Sequence, residues 1–214
     1  MKKAILVIST ICITLTTMGA NEKYEQKMGE TLAGFATCQT IEEFQGLANQ
    51  FRTIANVETT EWLPLYYEAQ CYIMMSFMDN SGATNKDAWL DQAESSIDKM
   101  LELVPQESEA IALKAFYHTG RLVVNPPQRA QTTTPLIDAA IGKALSLDPG
   151  NPRAKFMRLS NDIGAASFFG SDTTPYCEDA RELLDTWDSY QVKSAIHPSW
   201  GKGQVEEIVN GCSE

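Results

Sequence analysis

The sequence predicts an all-α fold built from a helical repeat, on three observations. Apolar residues recur at three- and four-residue spacing along the chain, which is the period of one helix face. Sustained alternation of apolar and polar residues, the pattern of a strand, is absent. Two stretches also end in the same way, Ala93-x3-Ile97-x2-Met100-Leu101-x-Leu103-x-Pro105 and Ile137-x3-Ile141-x2-Ala144-Leu145-x-Leu147-Asp148-Pro149. Repeats of this kind bury one face against the next and commonly use their open surface for binding.

The N-terminal segment predicts export. Lys2 and Lys3 precede an apolar run from Ala4 to about Leu15, and small residues follow at Gly19-Ala20. This is the pattern of a signal peptide, here 1–20, which leaves a single domain over 21–214. The run is shorter than the roughly 20 residues of a spanning helix. We expect a periplasmic or secreted protein whose mature chain does not insert into the membrane.

The first half of the mature chain reads as two helix pairs. A helix over about 22–36 is followed by one that begins at Thr40, where Glu43 completes a capping box. The next helix is expected to start at Thr60, since Pro64 then falls in the first turn, where a proline costs little. Polar residues at 79–86 predict a loop before the helix that ends near Pro105.

The second half repeats the same start and stop signals. A helix from Ser108 should end at Asn125-Pro126-Pro127, because the residue before a proline avoids helical geometry. Thr134-Pro135 and Asn151-Pro152 each pair a capping side chain with a proline at the first helical position. After a loop at 167–174, one more long helix and a short helix over about 202–211 should close the array.

These patterns resemble the tetratricopeptide repeat over about residues 60–190. The family places small or aromatic side chains at fixed helix positions and closes each unit with a proline. One unit here carries Ala69, Ala93, Ile97, Met100 and Pro105, and the next carries Ala115, Ile137, Ile141, Ala144 and Pro149. A third, weaker unit without the proline carries Leu159, Ala180, Leu184 and Trp187.

The resemblance implies a right-handed α-solenoid of about three helix pairs, preceded by an N-terminal helical hairpin and closed by a short C-terminal helix. The chain departs from the family in the loops expected inside each pair, at 79–86, 124–134 and 167–174, which are longer than the family's tight turn. With Phe168-Phe169-Gly170, the stretch 198–202 and a terminal cysteine, it is similar to small exported proteins of this class from gram-negative bacteria.

The family's groove implies a protein or peptide partner for this chain. Carried over position by position, the groove residues are Tyr66, Gln70, Ile73, Phe116, Arg153, Phe156 and Ser160. Aromatic residues at helical spacing are more often core, so a core position is favoured over a contact position for Tyr66, Phe116 and Phe156. Gln70 and Arg153 are expected to be exposed contact residues. The N-terminal hairpin is an alternative occupant of the groove.

The cysteines left after cleavage at residue 20 are Cys38, Cys71, Cys177 and Cys212. An even number in an exported chain suggests disulfides. We predict Cys177 with Cys212, which would fasten the last helix to the one before it, while Cys38 and Cys71 are either paired or free. Metal binding is not predicted, since no Cys-x2-Cys spacing occurs and the chain has only two histidines.

Signals of catalysis are weak. No nucleophile-elbow or glycine-rich phosphate loop appears, so we predict no enzyme activity and no cofactor. His118 and His197 read as structural residues. A net charge of −11 repels phosphate backbones and argues against nucleic acid.

Three hypotheses for function follow. The first is a non-catalytic exported protein that binds another protein or peptide in the cell envelope. The second is a structural or self-associating module. The third is a small-ligand-binding protein or an enzyme that uses the long loops between helices.

Overall fold

The computed structural model describes residues 21–212, and within that range the fold is all-α, as predicted. A 3-10 helix, Ala33–Ala36, follows the first α-helix. We number the α-helices in chain order as α1 (21–32), α2 (Ile41–Val57), α3 (Leu63–Met78), α4 (Ala83–Leu103), α5 (Ser108–Val124), α6 (Pro126–Leu147), α7 (Pro152–Phe168), α8 (Tyr176–Trp187) and α9 (Lys202–Gly211). The predicted signal peptide lies outside the described residues. None of the helices within 21–212 has the length and apolar character needed to cross a bilayer.

Two helix starts follow the predicted capping chemistry. Thr40 Oγ1 accepts from the Glu43 amide at 3.2 Å, and the Glu43 carboxylate accepts from the Thr40 amide at 3.0 Å. The Asn151 side chain accepts from two backbone amides in the first turn of α7, next to Pro152. These side chains satisfy amides that a helix end leaves without intrahelical partners.

Two other helix starts differ from the prediction. Trp62, not Thr60, occupies the N-cap position of α3. Helix α6 begins at Pro126, and Pro135 lies inside it on an exposed face. A proline that ends one helix can also stand in the first turn of the next helix. Asn125 is therefore both the C-cap of α5 and the N-cap of α6.

The long loops predicted inside helix pairs are therefore wrong at two of the three places. Residues 79–82 separate α3 from α4, and Asn125 alone separates α5 from α6. Between α7 and α8 the connection over 169–175 is close to the predicted loop.

From α2 onward each helix packs against the next one along the chain, and α5 also contacts both α3 and α7. One apolar cluster joins α1 to α5, and a second joins α5 to α9. Phe116 and Trp200 pack against both clusters. The small residues expected at close helix contacts are fully buried, namely Ala69, Ala93, Ala115 and Ala144. The inner face formed by α3, α5 and α7 therefore sets the position of the predicted groove.

Candidate functional site

The predicted groove residues lie on α3, α5 and α7, and α5 contacts both of the other helices. Tyr66 and Ile73 are fully buried, and Phe156 is 8% exposed. Phe116 and Ser160 are half-buried. The aromatic members of the set thus belong largely to the core.

Trp200 fills the space between these helices. Its indole stacks on Phe116 with ring centroids 5.3 Å apart and meets Phe156 edge-on at 6.2 Å. Its Nε1–H donates to the Tyr66 hydroxyl at 2.6 Å. Three of the expected contact residues are therefore already engaged by a side chain of the same protein.

Trp200 is positioned by the 188–201 segment, which connects α8 to α9. The Tyr67 hydroxyl donates to the carbonyl of Ile196 at 2.8 Å, and Ile196 is itself buried. The Tyr190 hydroxyl donates to Asp148 at 2.8 Å. The 188–201 segment thus occupies part of the groove from the C-terminal side of the chain, while Leu32 and Phe35 of the N-terminal segment lie near Gln70.

Gln70 and Arg153 are not exposed contact residues, which corrects that prediction. Arg153 is 2% exposed and pairs with Glu109, its Nε lying 2.6 Å from the carboxylate. Burial raises the pKa of the Glu109 carboxyl, and the guanidinium opposes that rise. The sequence predicts an exposed Arg153 because spacing alone does not reveal a buried partner on another helix.

Gln70 borders a small pocket near the 188–201 segment. The pocket has a volume of about 230 Å³, and Trp200, Tyr67 and His197 also line it. Gln70 is 7% exposed, and its Oε1 has no hydrogen-bond partner within the described residues. The His197 ring is held by Ser194 at 2.8 Å, so this histidine has a structural partner.

A larger cleft lies on the other side of α5, between α4 and α6. Its volume is about 470 Å³, within the usual range for small-molecule sites. Its apolar lining comprises Ile97, Leu101, Pro105, Ile111, Leu136, Ala139 and Ala140, and its polar lining comprises Glu94, Asp98, Lys114, Tyr117, His118 and Lys143. The sequence analysis did not identify this cleft, because its walls come from three helices.

His118 is the distinctive side chain of this cleft. Burial lowers the pKa of its imidazole to about 4, so the ring is neutral at physiological pH. Its ring contacts Tyr117, and neither of its nitrogens has a hydrogen-bond partner among residues 21–212. A neutral imidazole without a protein partner can form a hydrogen bond with a ligand in the cleft.

The predicted disulfide is present between Cys177 and Cys212, whose Cα atoms are 5.8 Å apart. Cys38 and Cys71 are free thiols, and burial raises the pKa of Cys71. Within the part of the chain that the structure describes, no group of three or more His, Cys, Asp or Glu side chains is arranged to hold a metal ion. The disulfide fits an exported protein.

Comparison with known proteins gives one informative likeness. No protein-family model matches the chain, and no curated protein matches it. Among solved structures, the chain is similar to the HusA haemophore from Porphyromonas gingivalis, with 29% sequence identity and a TM-score of 0.75. The likeness covers 88% of this chain and 92% of that one.

This likeness fits an exported, non-enzymatic binding role and corrects the expected partner. A haemophore carries haem, a small molecule, so the prediction of a protein or peptide partner is wrong. The physical reason is visible in the groove, where Trp200 already covers the surface on which that prediction depended.

Proposed function

We propose that this protein is an exported, non-catalytic carrier of haem or a closely related porphyrin. The observation that carries the proposal is its likeness to the HusA haemophore, which extends over 88% of the chain at 29% identity. Of the three hypotheses drawn from the sequence, this corresponds to the small-ligand-binding alternative. Its location is the periplasm or the outside of the cell.

The described residues support a planar apolar ligand. The cleft between α4 and α6 is large enough for a small molecule and combines apolar walls with a few polar groups, which is the usual character of a ligand site.

We also propose that the scaffold is a right-handed α-solenoid of three tetratricopeptide-like pairs, α3 with α4, α5 with α6 and α7 with α8. The contacts among α3, α5 and α7 support this arrangement, as do the buried alanines at the expected positions. In this arrangement, α1 and α2 form the N-terminal hairpin and α9 covers the last pair. Phe116 and Trp200 pack against both apolar clusters, which supports a single domain over 21–214.

The test is a titration of the exported protein with haemin, followed by absorbance in the Soret region and by quenching of tryptophan fluorescence. We expect both signals to change and saturate together at a fixed stoichiometry. The same chain unfolded in urea is the matched control for haemin that adsorbs to apolar side chains. A linear response equal to that of the unfolded chain would contradict the proposal.

A further inference from the structure

The small pocket beside Gln70 holds a polar group that the protein itself does not satisfy. Gln70 lies on α3 and is 7% exposed, and its Oε1 has no hydrogen-bond partner within the described residues. Its Nε2 likewise takes part in no hydrogen bond with residues 21–212. A buried amide that loses its water without gaining a partner is destabilising, and native proteins rarely contain one. The amide therefore points to a partner from outside the chain.

We propose that this pocket binds an uncharged, flat heterocycle that carries a hydrogen-bond donor beside an acceptor, which is the chemistry of a free nucleobase. We call it the Gln70 pocket, the cavity that Gln70 lines together with Tyr67, His197 and Trp200. The inference is independent of the proposed function, because this pocket shares no lining residue with the cleft between α4 and α6.

The Gln70 pocket is too large for one water molecule and too small for a porphyrin. Its volume is about 230 Å³, whereas a water molecule takes up about 30 Å³ in the liquid. The same volume is below the range of about 300–1,000 Å³ that is usual for drug-sized ligands. We therefore expect an occupant of one or two fused rings.

Aromatic side chains from three parts of the chain form walls of this pocket. Phe35 comes from the 3-10 helix after α1, Tyr67 comes from α3, and Trp200 comes from the 188–201 segment. Aromatic side chains stabilise a bound base by stacking, and they do so for every base because each has a flat π-face. The walls therefore favour a flat ring without selecting among rings.

Polar atoms of these walls are already engaged inside the protein. The Tyr67 hydroxyl donates to the Ile196 carbonyl at 2.8 Å. Trp200 Nε1–H donates to the Tyr66 hydroxyl at 2.6 Å. The Gln70 amide is thus the buried group of the lining that remains to distinguish one flat ligand from another.

The Gln70 amide matches a ligand edge with a donor next to an acceptor. Its carbonyl oxygen accepts and its NH2 group donates, and glutamine pairs with adenine through N6 and N7 by this geometry. Among the described residues, the lining includes no Asp, Glu, Lys or Arg side chain. A phosphate would find no counter-charge there, and the net charge of −11 repels it. These features favour a free base over a nucleotide.

Isothermal titration calorimetry with adenine, purine and AMP tests the inference. Purine has the ring system of adenine but lacks the exocyclic amino donor, so we expect the wild type to bind adenine at least about fivefold more tightly than purine. Gln70→Leu should lose this preference. Gln50→Leu, at an exposed position of α2, is the matched glutamine control and should keep it.

A second variant tests the walls without touching the amide. Phe35→Leu should weaken the binding of adenine and purine by a similar factor, about fivefold, because stacking does not depend on the amino group. Urea unfolding checks that the variants fold. Gln70→Leu should keep or raise the urea midpoint, since it removes a buried amide that has no protein partner.

Three results would overturn the inference. The first is the absence of saturable binding at millimolar adenine, and a lowered urea midpoint of Gln70→Leu would then identify ordered water as the partner of the amide. The second is a preference for adenine over purine that survives in Gln70→Leu. The third is AMP binding as tightly as adenine, which would exclude a pocket built for the free base.

Discussion

Breaking the buried ion pair between Glu109 and Arg153 at one partner should be among the most destabilising single changes in this fold. The two side chains are 4% and 2% exposed, and the guanidinium binds the carboxylate through two nitrogens, with Nε at 2.6 Å. Removing one partner of such a pair leaves the other charge buried without compensation, which costs about 3–5 kcal/mol. We therefore expect Glu109→Gln and Arg153→Met each to lower the free energy of unfolding by about that amount.

In thermal unfolding, this loss corresponds to a fall in Tm of about 6–20 °C for a chain of this size. The primary assay is urea unfolding followed by far-UV circular dichroism, with the slope compared between variants. The double variant Glu109→Leu/Arg153→Met should lose less than the sum of the single losses, with a coupling of at least about 1 kcal/mol, because it removes both charges.

An exposed ion pair provides the control. Lys202 pairs with Asp188 at 2.6 Å, and these side chains are 36% and 77% exposed. Lys202→Met should therefore cost no more than about 1 kcal/mol. The reasoning is refuted if Glu109→Gln and Arg153→Met are no more destabilising than this surface variant.

Two further predictions concern the C-terminal end. Gly201 has φ of +107°, and a Cβ there would lie 2.7 Å from Trp187 Cη2, so Gly201→Ala should destabilise the fold by about 1–3 kcal/mol in urea unfolding. Gly203 has open space around it, so Gly203→Ala is the control and should be neutral or stabilising. Equal stability of the two variants would contradict this prediction. Replacing Cys177 and Cys212 together by serine should lower stability by about 4 kcal/mol, from the 35-residue separation that the bond closes, and an unchanged urea midpoint would count against it.

Local signals in the sequence predicted the helices and most of their ends. Thr40, Asn151 and Asp148 act through atoms within a few residues, so a one-dimensional pattern contains the information. Pro135 was misread, because a proline that follows a threonine resembles a helix start whether or not the chain before it is already helical. What decides between the two is packing of the first turns of α6, which local sequence does not show.

The candidate site depended on contacts between distant residues and was mostly missed. Trp200 lies 134 residues after Tyr66, and Arg153 lies 44 residues after Glu109. Neither pairing leaves a local pattern. The transfer of groove positions from the resembling family therefore predicted Arg153 to be exposed.

The sequence analysis did not find the larger cleft between α4 and α6, for a different reason. Each of its helices contributes only a few lining residues, and the histidine sits beside two aromatic residues that read as ordinary core. A lone histidine acquires meaning only when its neighbours from α4 and α6 are known.

The bond between α8 and α9 makes residues 177–212 a closed covalent ring, and Trp200 is a member of that ring. An indole tethered in this way remains near its binding surface at an effective concentration of about millimolar order, even when it briefly detaches. A dissolved peptide would have to compete with that permanent local occupant. The inner helical face therefore behaves as a largely self-saturated surface toward a peptide from outside.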